Sequence, residues 1–422
     1  MAEINENVEK ILINTGTNSL EFEAGGDAPV PSVVEDNDVR FYDYDGTLVA
    51  SYSPSDFASL SSLPDNPVHS GLTAQGWNWT LADAKAYVAK YGMLDIGQMY
   101  ITDDGNTRLY LSLDAGRLST QLGLFINGSV DVDWGDDSEH STMTGTNATS
   151  TAIYASHTYA AKGRYVISIE PAEGTTFNFA YRSDMSMLLT KSSYSRWQEI
   201  YVYLNALVKI EIGTGMTSIR TYSLARACSL EAITMPNSIT DIEASAFEEC
   251  ASLKYLTIPN SVSTLRNSFT KCYSLFAVSI PKSVTTIVNG TFKNCQSLRS
   301  IALPPDCTEP VRAVMFSGCY SLQSVAIPEG TTWIPNAFGD CYSLQSLTIP
   351  STVTGFTNDA LYYCYGLGYI EFLGETPPTA DSSGVWGMPT DCVIYVPAGT
   401  LETYKAAANY PSPSSYTYIE RD

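Results

Sequence analysis

At 422 residues, the chain is long enough for roughly two to four domains, each with its own hydrophobic core. Its 44% hydrophobic and 16% charged residues are typical of a globular protein, and no apolar run approaches the roughly eighteen residues that indicate a membrane-spanning helix. A formal net charge of −22 would repel a phosphate backbone, which argues against nucleic acid as a partner.

The N-terminal arm, residues 1–39, is acidic and contains Gly and Pro. Such a composition is typical of a segment that orders only on meeting a partner. Within it, ILIN and LEFEA alternate like short strands, so the arm could add to a partner's exposed sheet edge. The start, MAEINENVEKILINTG, has neither the basic nor the apolar region of a secretory signal, so we expect no signal peptide.

Residues 40–118 are predicted to form a small α+β unit. Thr80 should cap a helix that ends at Gly92, with one apolar face formed by Leu81, Ala84, Val88 and Tyr91. The following stretch, QMYITDDGNTRLYLSLD, predicts a β-hairpin that turns at Asp104 and Gly105.

The segment FYDYDGTLVAS, residues 41–51, resembles the first motif of haloacid-dehalogenase-type phosphatases. The resemblance would make Asp43 the nucleophile and Asp45 the general acid. Polar residues interrupt the apolar strand that should precede this motif, and no strand–helix alternation follows it. We therefore interpret the segment as an acidic turn and predict a non-enzymatic protein without catalytic residues or a cofactor. A hydrolase in residues 40–118 is the remote alternative.

Residues 119–172 alternate like strands around GSVDVDWGDDSEH, with Val130, Val132 and Trp134 expected in the core and Asp131 and Asp133 in water. The WGD and HTY tripeptides resemble the polycystic-kidney-disease (PKD) type of immunoglobulin-like sandwich, although Asp137 replaces a glycine of that pattern. The spacing of the aspartates does not match an EF-hand, so we predict no metal site here and leave a Ca²⁺ role for Asp131, Asp133 and Asp136 open. Residues 173–206 are interpreted as a junction and N-terminal cap.

From residue 207 to residue 378, a motif of 22 to 24 residues recurs about seven times. Leucine recurs at this spacing, at Leu207, Leu230, Leu253, Leu275, Leu298, Leu322, Leu344 and Leu367. Two alternating apolar residues and a proline follow, and a further column holds Phe247, Phe269, Phe292, Phe316 and Phe338, with Leu224 and Leu361 in the outer copies. No copy can bury these side chains alone, so neighbouring copies must stack in register. The pattern predicts a solenoid whose strands lie about 4.8 Å apart.

The recurring order of proline, a Ser/Thr–Val/Ile pair, Phe and Cys-x-Ser-Leu resembles the BspA-like leucine-rich repeats of bacterial and protist surface antigens. Residues 379–422 are similar to the C-terminal cap of that family, and Thr400 is expected to cap a final helix over residues 401–410. Two copies depart from the pattern: LPPDCTEPVRAVMF lengthens one loop, and the first copy has ACSL.

Seven of the nine cysteines recur once per repeat, at Cys228, Cys250, Cys272, Cys295, Cys319, Cys341 and Cys364. An eighth, Cys307, occupies a column that otherwise holds valines such as Val262. Because the spacing places each in the same structural position and no C-x-x-C pair occurs, we predict reduced, buried thiols rather than disulfides or zinc ligands.

Two surfaces of the solenoid are candidates for recognition. Outward strand positions, mostly small or hydroxyl-bearing, should form a shallow concave face that includes Lys209, Glu211, Thr234, Tyr255, Thr257, Ser279, Ser300, Ser324, Ser346, Thr348 and Tyr369. The alternative is a ridge of tyrosines that follow the repeat cysteines, at Tyr273, Tyr320, Tyr342 and Tyr365. Packing and solubility alone would also explain both patterns.

The predicted fold is multi-domain and mainly β: an arm, a small α+β unit, an immunoglobulin-like sandwich and a capped leucine-rich-repeat solenoid. Such a chain would display a binding surface for a host cell-surface protein or glycan. Residues 71–105 resemble N-terminal segments that accompany such repeats in gut bacteria and their phages. We expect a phage tail or virion-surface protein whose arm docks on other virion proteins; a secreted or cell-surface bacterial adhesin is the alternative. A homo-oligomer is left open, and membrane insertion is not expected.

Overall fold

The computed structural model describes residues 10–14, 19–23, 39–114, 116, 118–182, 185–190, 204–307, 311–357, 359–381 and 388–421. The chain divides into two compact units, Met1–Glu35 and Asp36–Asp422. In the first unit, β1 (Lys10–Asn14) and β2 (Ser19–Glu23) pair antiparallel, which confirms the two short strands predicted for the arm. Val39, the last residue of the predicted arm, belongs to a strand of the second unit, and the other residues of the arm lie outside the described residues.

The second unit begins with a four-stranded sheet and two helices, here called the α+β layer (residues 39–102). It consists of β3 (Val39–Tyr42), β4 (Leu48–Tyr52), α1 (Pro54–Ser59), β5 (Leu72–Trp77), α2 (Leu81–Tyr91) and β6 (Leu94–Thr102). The strand order is β4-β3-β6-β5, with β3 and β6 parallel. The predicted helix is confirmed at both ends: the Thr80 side chain accepts a hydrogen bond from the Asp83 amide, and Gly92 ends the helix at φ 75°.

The next strands form one sheet that runs on into the solenoid. They are β7 (Thr107–Leu113), β8 (Ser119–Asp133), β9 (Ser141–Thr158), β10 (Gly163–Pro171), β11 (Thr176–Phe179), β14 (Leu189–Thr190), and the first solenoid strands, β15 (Leu207–Glu211) and β17 (Ala232–Thr234). The short strands β12 (Tyr181–Arg182) and β13 (Met185–Ser186) pair with each other in a separate two-stranded sheet. The order is β11-β8-β10-β7-β15-β17, with β9 and β14 also paired to β8. Strand β7 pairs antiparallel with both β10 and β15, and β15 pairs parallel with β17.

The predicted hairpin at Asp104 and Gly105 is wrong. The turn exists, with Gly105 at φ 78° and its amide donating to the Thr102 carbonyl, but β6 and β7 then join different sheets. The physical reason is that both edges of each strand are already paired. Strand β7 pairs with β10 and β15, and β6 pairs with β3 and β5, so neither has a free edge for the other.

In the sheet around β8, the predicted alternation is confirmed. Val130, Val132 and Trp134 are buried, whereas the Asp131 and Asp133 side chains remain about two-fifths exposed. The sheet shares one hydrophobic core with the solenoid. The immunoglobulin-like identity of these strands stays a prediction.

The solenoid stacks its copies in register, as the 22- to 24-residue spacing predicts. Its principal strands after β17 are β19 (Tyr255–Thr257), β21 (Ala277–Ser279), β23 (Ser300–Ala302), β24 (Ser324–Ala326), β26 (Ser346–Ile349) and β28 (Tyr369–Phe372). A second column contains β16 (Ser218–Ile219), β18 (Asp241–Ile242), β20 (Thr264–Leu265), β22 (Thr286–Ile287), β25 (Trp333–Ile334), β27 (Gly355–Phe356) and β29 (Thr379–Ala380). Parallel pairs join equivalent residues of successive copies, such as Tyr255 with Ala277 and Ser346 with Tyr369.

The predicted phenylalanine column forms a continuous stack inside the solenoid. Ring centroids from Phe247 to Phe338 follow one another at 5.6, 5.6, 6.0 and 5.5 Å. All five rings are completely buried, as are Leu224 and Leu361 at the ends of the column.

Six repeat cysteines, from Cys250 to Cys364, form a second column, and none of the nine cysteines is in a disulfide. Six of the seven repeat cysteines are buried, as is Cys307, which confirms the prediction for them. Cys228 is the exception, being half-buried, because the first copy is shifted by one residue and the buried Ala227 occupies the cysteine position. The Cys228 thiol contacts the Glu249 carbonyl at 3.5 Å.

The C-terminal cap extends the principal sheet by β30 (Val393–Pro397) and β31 (Thr417–Arg421), with α3 (Leu401–Lys405) between them. The helix is five residues long, half of the predicted span, and Thr400 does not cap it as expected. The Thr400 hydroxyl donates instead to the Pro397 carbonyl at 2.7 Å. Tyrosines close the end of the stack: Tyr404 is buried, and its hydroxyl donates to the Gly374 carbonyl.

Candidate recognition surfaces

The expectation of an open concave strand face is wrong for most of its length. Lys209 and Ser324 are half-buried, and the positions between them are buried: Glu211, Thr234, Tyr255, Thr257, Ser279 and Ser300. The α+β layer covers them, so in this arrangement they contact their own chain rather than an outside partner.

Asn78 is the central polar contact between the α+β layer and the strand face. Its side-chain nitrogen donates to the carbonyls of Ile258 (3.1 Å) and Ser279 (3.2 Å). Its side-chain oxygen accepts from the Gly97 amide and from the Ser279 hydroxyl, each at 2.9 Å. Every polar atom of this buried amide therefore has a hydrogen-bond partner, as is usual for polar groups inside a protein.

A buried ion pair lies beside it. The Arg40 Nε atom lies 2.8 Å from the Asp95 carboxylate, and an Arg40 terminal nitrogen donates to the Ser300 hydroxyl at 2.6 Å. Burial raises the pKa of Asp95, an effect that the Arg40 charge opposes. The hydroxyl of Ser300 on the strand face thus contacts an ion pair that joins β3 to β6.

Lys209 is held at one end of the covered face. Its ammonium group lies 2.7 Å from the Glu211 carboxylate and donates to the Tyr44 hydroxyl at 2.9 Å. Burial by itself would lower the pKa of Lys209, but the hydrogen bonds with Glu211 and Tyr44 outweigh it and raise the pKa. These contacts fix Lys209 within the molecule.

Only the C-terminal end of the predicted strand face is open. Ser346 is half-buried, whereas Thr348 and Tyr369 are exposed. Arg421 of β31 lies 3.4 Å from the centre of the Tyr395 ring and 2.9 Å from the Glu371 carboxylate. A cavity of about 180 Å³ lies between these residues. Arg421 is thus already engaged by the Tyr395 ring and the Glu371 carboxylate. This end of the strand face is a small polar surface.

The tyrosine ridge, in contrast, is exposed. We define it as Tyr320, Tyr342, Tyr365, Tyr363 and Tyr362, whose rings contact one another in that order. The centroids of Tyr320 and Tyr342 lie 5.1 Å apart with planes at 10°, and those of Tyr342 and Tyr365 lie 5.9 Å apart with planes at 14°. Tyr365 is 60% exposed.

The predicted Tyr273 is also exposed but stands apart from the ridge, because Gln296 occupies the equivalent position of the next copy. Tyr362 and Tyr363 were not predicted; they extend the ridge, with hydroxyl groups 2.9 Å apart. The signal for Tyr363 was present in the sequence, since it directly precedes a repeat cysteine, but that position carries no tyrosine in the other copies.

The ridge rests on a rigid base. Each ridge tyrosine at 320, 342 and 365 follows a buried cysteine whose thiol donates to a phenylalanine carbonyl of the preceding copy. The distances are 3.1 Å from Cys319 to Phe292, 3.3 Å from Cys341 to Phe316 and 3.2 Å from Cys364 to Phe338. The backbone under the rings is therefore fixed, which keeps the rings in register.

The DYDGT segment forms the turn between β3 and β4, which pair as an antiparallel hairpin. Asp43 is buried, accepts a hydrogen bond from the Tyr44 amide and lies 2.6 Å from the His69 ring nitrogen; Asp45 accepts from the Thr47 amide. Both carboxylates thus have partners within this turn region.

The acidic residues near Trp134 contact histidines. His140 lies 2.5 Å from Asp131, and His157 lies 2.8 Å from Asp136 and stacks on Trp134 at 4.9 Å. Within the part of the chain that the structure describes, no group of three or more potential metal-ligating side chains is found.

Comparisons with known proteins agree with the repeat architecture. A family model described as "BspA type Leucine rich repeat region" matches residues 186–275 and 265–377. A search of curated proteins finds no match. Among the described residues, no helix is long and apolar enough to cross a membrane.

Several solved structures are similar in part. A leucine-rich repeat protein of T. pallidum is 28% identical over 31% of this chain and 62% of its own, with a TM-score of 0.29. The pneumococcal vaccine antigen PcpA is 16% identical over 51% of this chain and 66% of its own, with a TM-score of 0.29. This chain therefore spans less than two thirds of either protein. A leucine-rich cell surface protein of Faecalibacterium prausnitzii is 19% identical over 49% of this chain and 77% of its own, with a TM-score of 0.26.

The family match and the stacked copies coincide, since the leucine, phenylalanine and cysteine columns all lie within residues 186–377. This part of the chain is therefore similar to BspA-type leucine-rich repeats.

Proposed function

We propose that the protein is a non-enzymatic recognition protein, displayed on a bacterial surface or secreted, that contacts its target through the tyrosine ridge. The observation that carries this proposal is the row of exposed, mutually stacked rings on a fixed base. Tyrosine offers a large, rigid contact area with an apolar body and a polar tip, which suits it to interfaces.

The choice of the ridge over the strand face follows from burial. The strand face is covered from Glu211 to Ser300 by the α+β layer, whereas the ridge tyrosines are between 37% and 60% exposed. Contact there needs no rearrangement of the fold, so little conformational free energy is lost on binding.

The repeat type supports display outside the cell, because BspA-like repeats resemble those of surface antigens. Assignment to a phage virion rests on the composition of the arm and on resemblance alone, and no contact in the described residues favours it. We therefore propose the bacterial adhesin as the leading function and keep the virion protein as the alternative. Detection of the protein on intact bacteria or in purified virions, with a specific antibody, separates them.

The test of the ridge is a cell-binding assay with paired variants. The double substitution Tyr320→Ala and Tyr342→Ala removes two adjacent rings of the row. Tyr273→Ala removes an exposed tyrosine from the equivalent position of a copy outside the ridge. We expect binding to host cells to weaken on the order of tenfold for the double variant, since interface tyrosines often contribute more than about 1 kcal/mol each.

The Tyr273→Ala variant should bind as the parent does. Unchanged binding by the double variant, with its melting temperature preserved, would refute the role of the ridge. Equal losses in both variants would also contradict it, because they would indicate a diffuse effect of surface tyrosines.

A further inference from the structure

We infer that the tyrosine ridge takes a protein segment bearing Lys and Arg side chains. The inference rests on the proposed role of the ridge as the contact surface and specifies the chemistry of its partner. It follows from the geometry of the rings, the charged groups around them and the charge of the whole chain.

The geometry of the rings limits what can contact them. A ligand ring inserted between two tyrosines needs about 7 Å, twice the carbon–carbon contact distance of about 3.5 Å. The centroids of neighbouring rings from Tyr320 to Tyr365 lie only 5.1 and 5.9 Å apart, so each inner face is covered by the next ring. The ridge therefore presents ring edges and hydroxyl groups along its length. A sugar ring, which packs its C–H groups on an open aromatic face, finds such a face only at the ends.

The charged groups beside the ridge are acidic. The Tyr342 hydroxyl donates to the Asp340 carboxylate at 3.1 Å. The hydrogen bond and charge of Tyr363 raise the pKa of Tyr362. Burial and the negative charge of the nearby Asp359 raise it further. Phenol hydroxyls and carboxylates together accept hydrogen bonds from ammonium and guanidinium groups.

The basic side chains of this column stop before the ridge begins. The residue that precedes the repeat cysteine is Lys271 beside Tyr273, but it is Gly318, Asp340 and Tyr363 in the copies that form the ridge. Lys271 is itself paired with Glu249 at 2.5 Å. Charge thus changes along the solenoid, from the Lys271 cation beside Tyr273 to the Asp340 carboxylate beside Tyr342.

The whole chain carries a formal charge of −22, which attracts a basic partner and repels a second copy of the same chain. Local and overall charge therefore favour the same partner, a segment rich in Lys and Arg that lies along the row and directs its cations to the hydroxyls and to Asp340.

The experiment uses the full chain and two immobilised probe sets: synthetic peptides that differ only in their number of Lys and Arg residues, and neutral oligosaccharides. The variants are the Tyr320→Ala and Tyr342→Ala pair, Asp340→Asn, and Tyr273→Ala as the matched control. We expect affinity to rise with the number of basic residues and to fall with salt. It should weaken on the order of tenfold in the double variant, less in Asp340→Asn, and not in the control.

Two outcomes would overturn the inference: binding of oligosaccharides without binding of basic peptides, or basic-peptide binding that all three variants retain or lose equally. The second would mean that only the overall charge attracts the peptides. The proposed function is judged separately, by cell binding. Loss of cell binding in the double variant without any basic-peptide binding would leave the ridge as the contact surface and reject only the basic partner.

Discussion

At the scale of single residues, the cysteine column shows how a small side chain can serve a solenoid. Each of the six buried repeat cysteines, from Cys250 to Cys364, donates its thiol hydrogen to a backbone carbonyl of the preceding copy, at 3.1 to 3.3 Å. The sulfur fills a small apolar volume. Its hydrogen gives the carbonyl a second hydrogen bond, beside the one from the backbone amide three residues later. One residue therefore contributes both packing and a link between copies.

Burial of these thiols predicts loss of stability in alkali. Burial raises the pKa of Cys319 and of Cys364 from 9.0 to about 12. Below pH 9 both the folded and the unfolded chain keep these protons, so their contribution is fully present. Between about pH 9 and pH 12 the unfolded chain loses the protons first, so the free energy of unfolding should fall across this window.

The measurement is urea denaturation at several pH values, for the parent and for the Cys319→Ala, Cys364→Ala variant. The variant lacks two of the titrating thiols and should lose less stability between pH 9 and pH 12, although it is less stable at neutral pH because it contains two cavities. Identical pH dependence in both proteins would contradict the assignment.

At the scale of elements, the docking of β6 on the solenoid depends on a glycine. A Cβ atom added at Gly97 would lie 2.1 Å from the Thr257 hydroxyl and 2.6 Å from the Tyr255 hydroxyl. Both residues are buried, so neither can move away without opening the contact. The close approach of this strand to the sheet face thus requires the absence of a side chain.

We therefore expect Gly97→Ala to destabilise the protein by roughly 1–3 kcal/mol through overpacking. Gly163→Ala is a matched control within a strand, since its added Cβ would meet Tyr165 at an ordinary 3.5 Å. Denaturant unfolding gives the stability change, and hydrogen exchange at β19 reports whether the contact opens. Equal stability of the two variants would show that the α+β layer docks less closely than described.

At the scale of the whole molecule, strand β7 joins units that the sequence suggested were separate domains. It pairs with β10 on one side and with β15, the first solenoid strand, on the other. The hydrophobic core is likewise continuous from Leu109 to Tyr404. Stability of the solenoid is therefore coupled to segments that precede it by about a hundred residues, as in Tyr110 paired with Lys209.

This coupling predicts the outcome of a truncation. Residues 119–422 lack β7 and the α+β layer, so the edge of β15 and buried strand-face residues such as Tyr255 and Ala277 would meet water. We expect this fragment to melt at a lower temperature than residues 36–422 and to aggregate, because an open apolar sheet edge invites pairing with other chains. Circular dichroism and size-exclusion chromatography are the measurements. A monomeric fragment with the same melting temperature as the longer protein would contradict the coupling.

The sequence by itself determined the repeat period, the phenylalanine and cysteine columns, and helix α2 with its two caps. These features are local, because the period of apolar residues and the residues that end a helix act over a few turns of chain. It also placed Val130, Val132 and Trp134 on the buried side of their strand.

Only the tertiary structure decided which surface of the solenoid is open. Small residues such as Ser279 and Ala277 are equally compatible with solvent and with a docked layer, so their pattern could not distinguish the two. The contacts that decide it join residues far apart in the chain, such as Arg40 and Ser300, and many of them end on backbone carbonyls, as from Asn78 to Ile258. Every residue has a backbone carbonyl, so the residue pattern cannot indicate which carbonyls accept these hydrogen bonds.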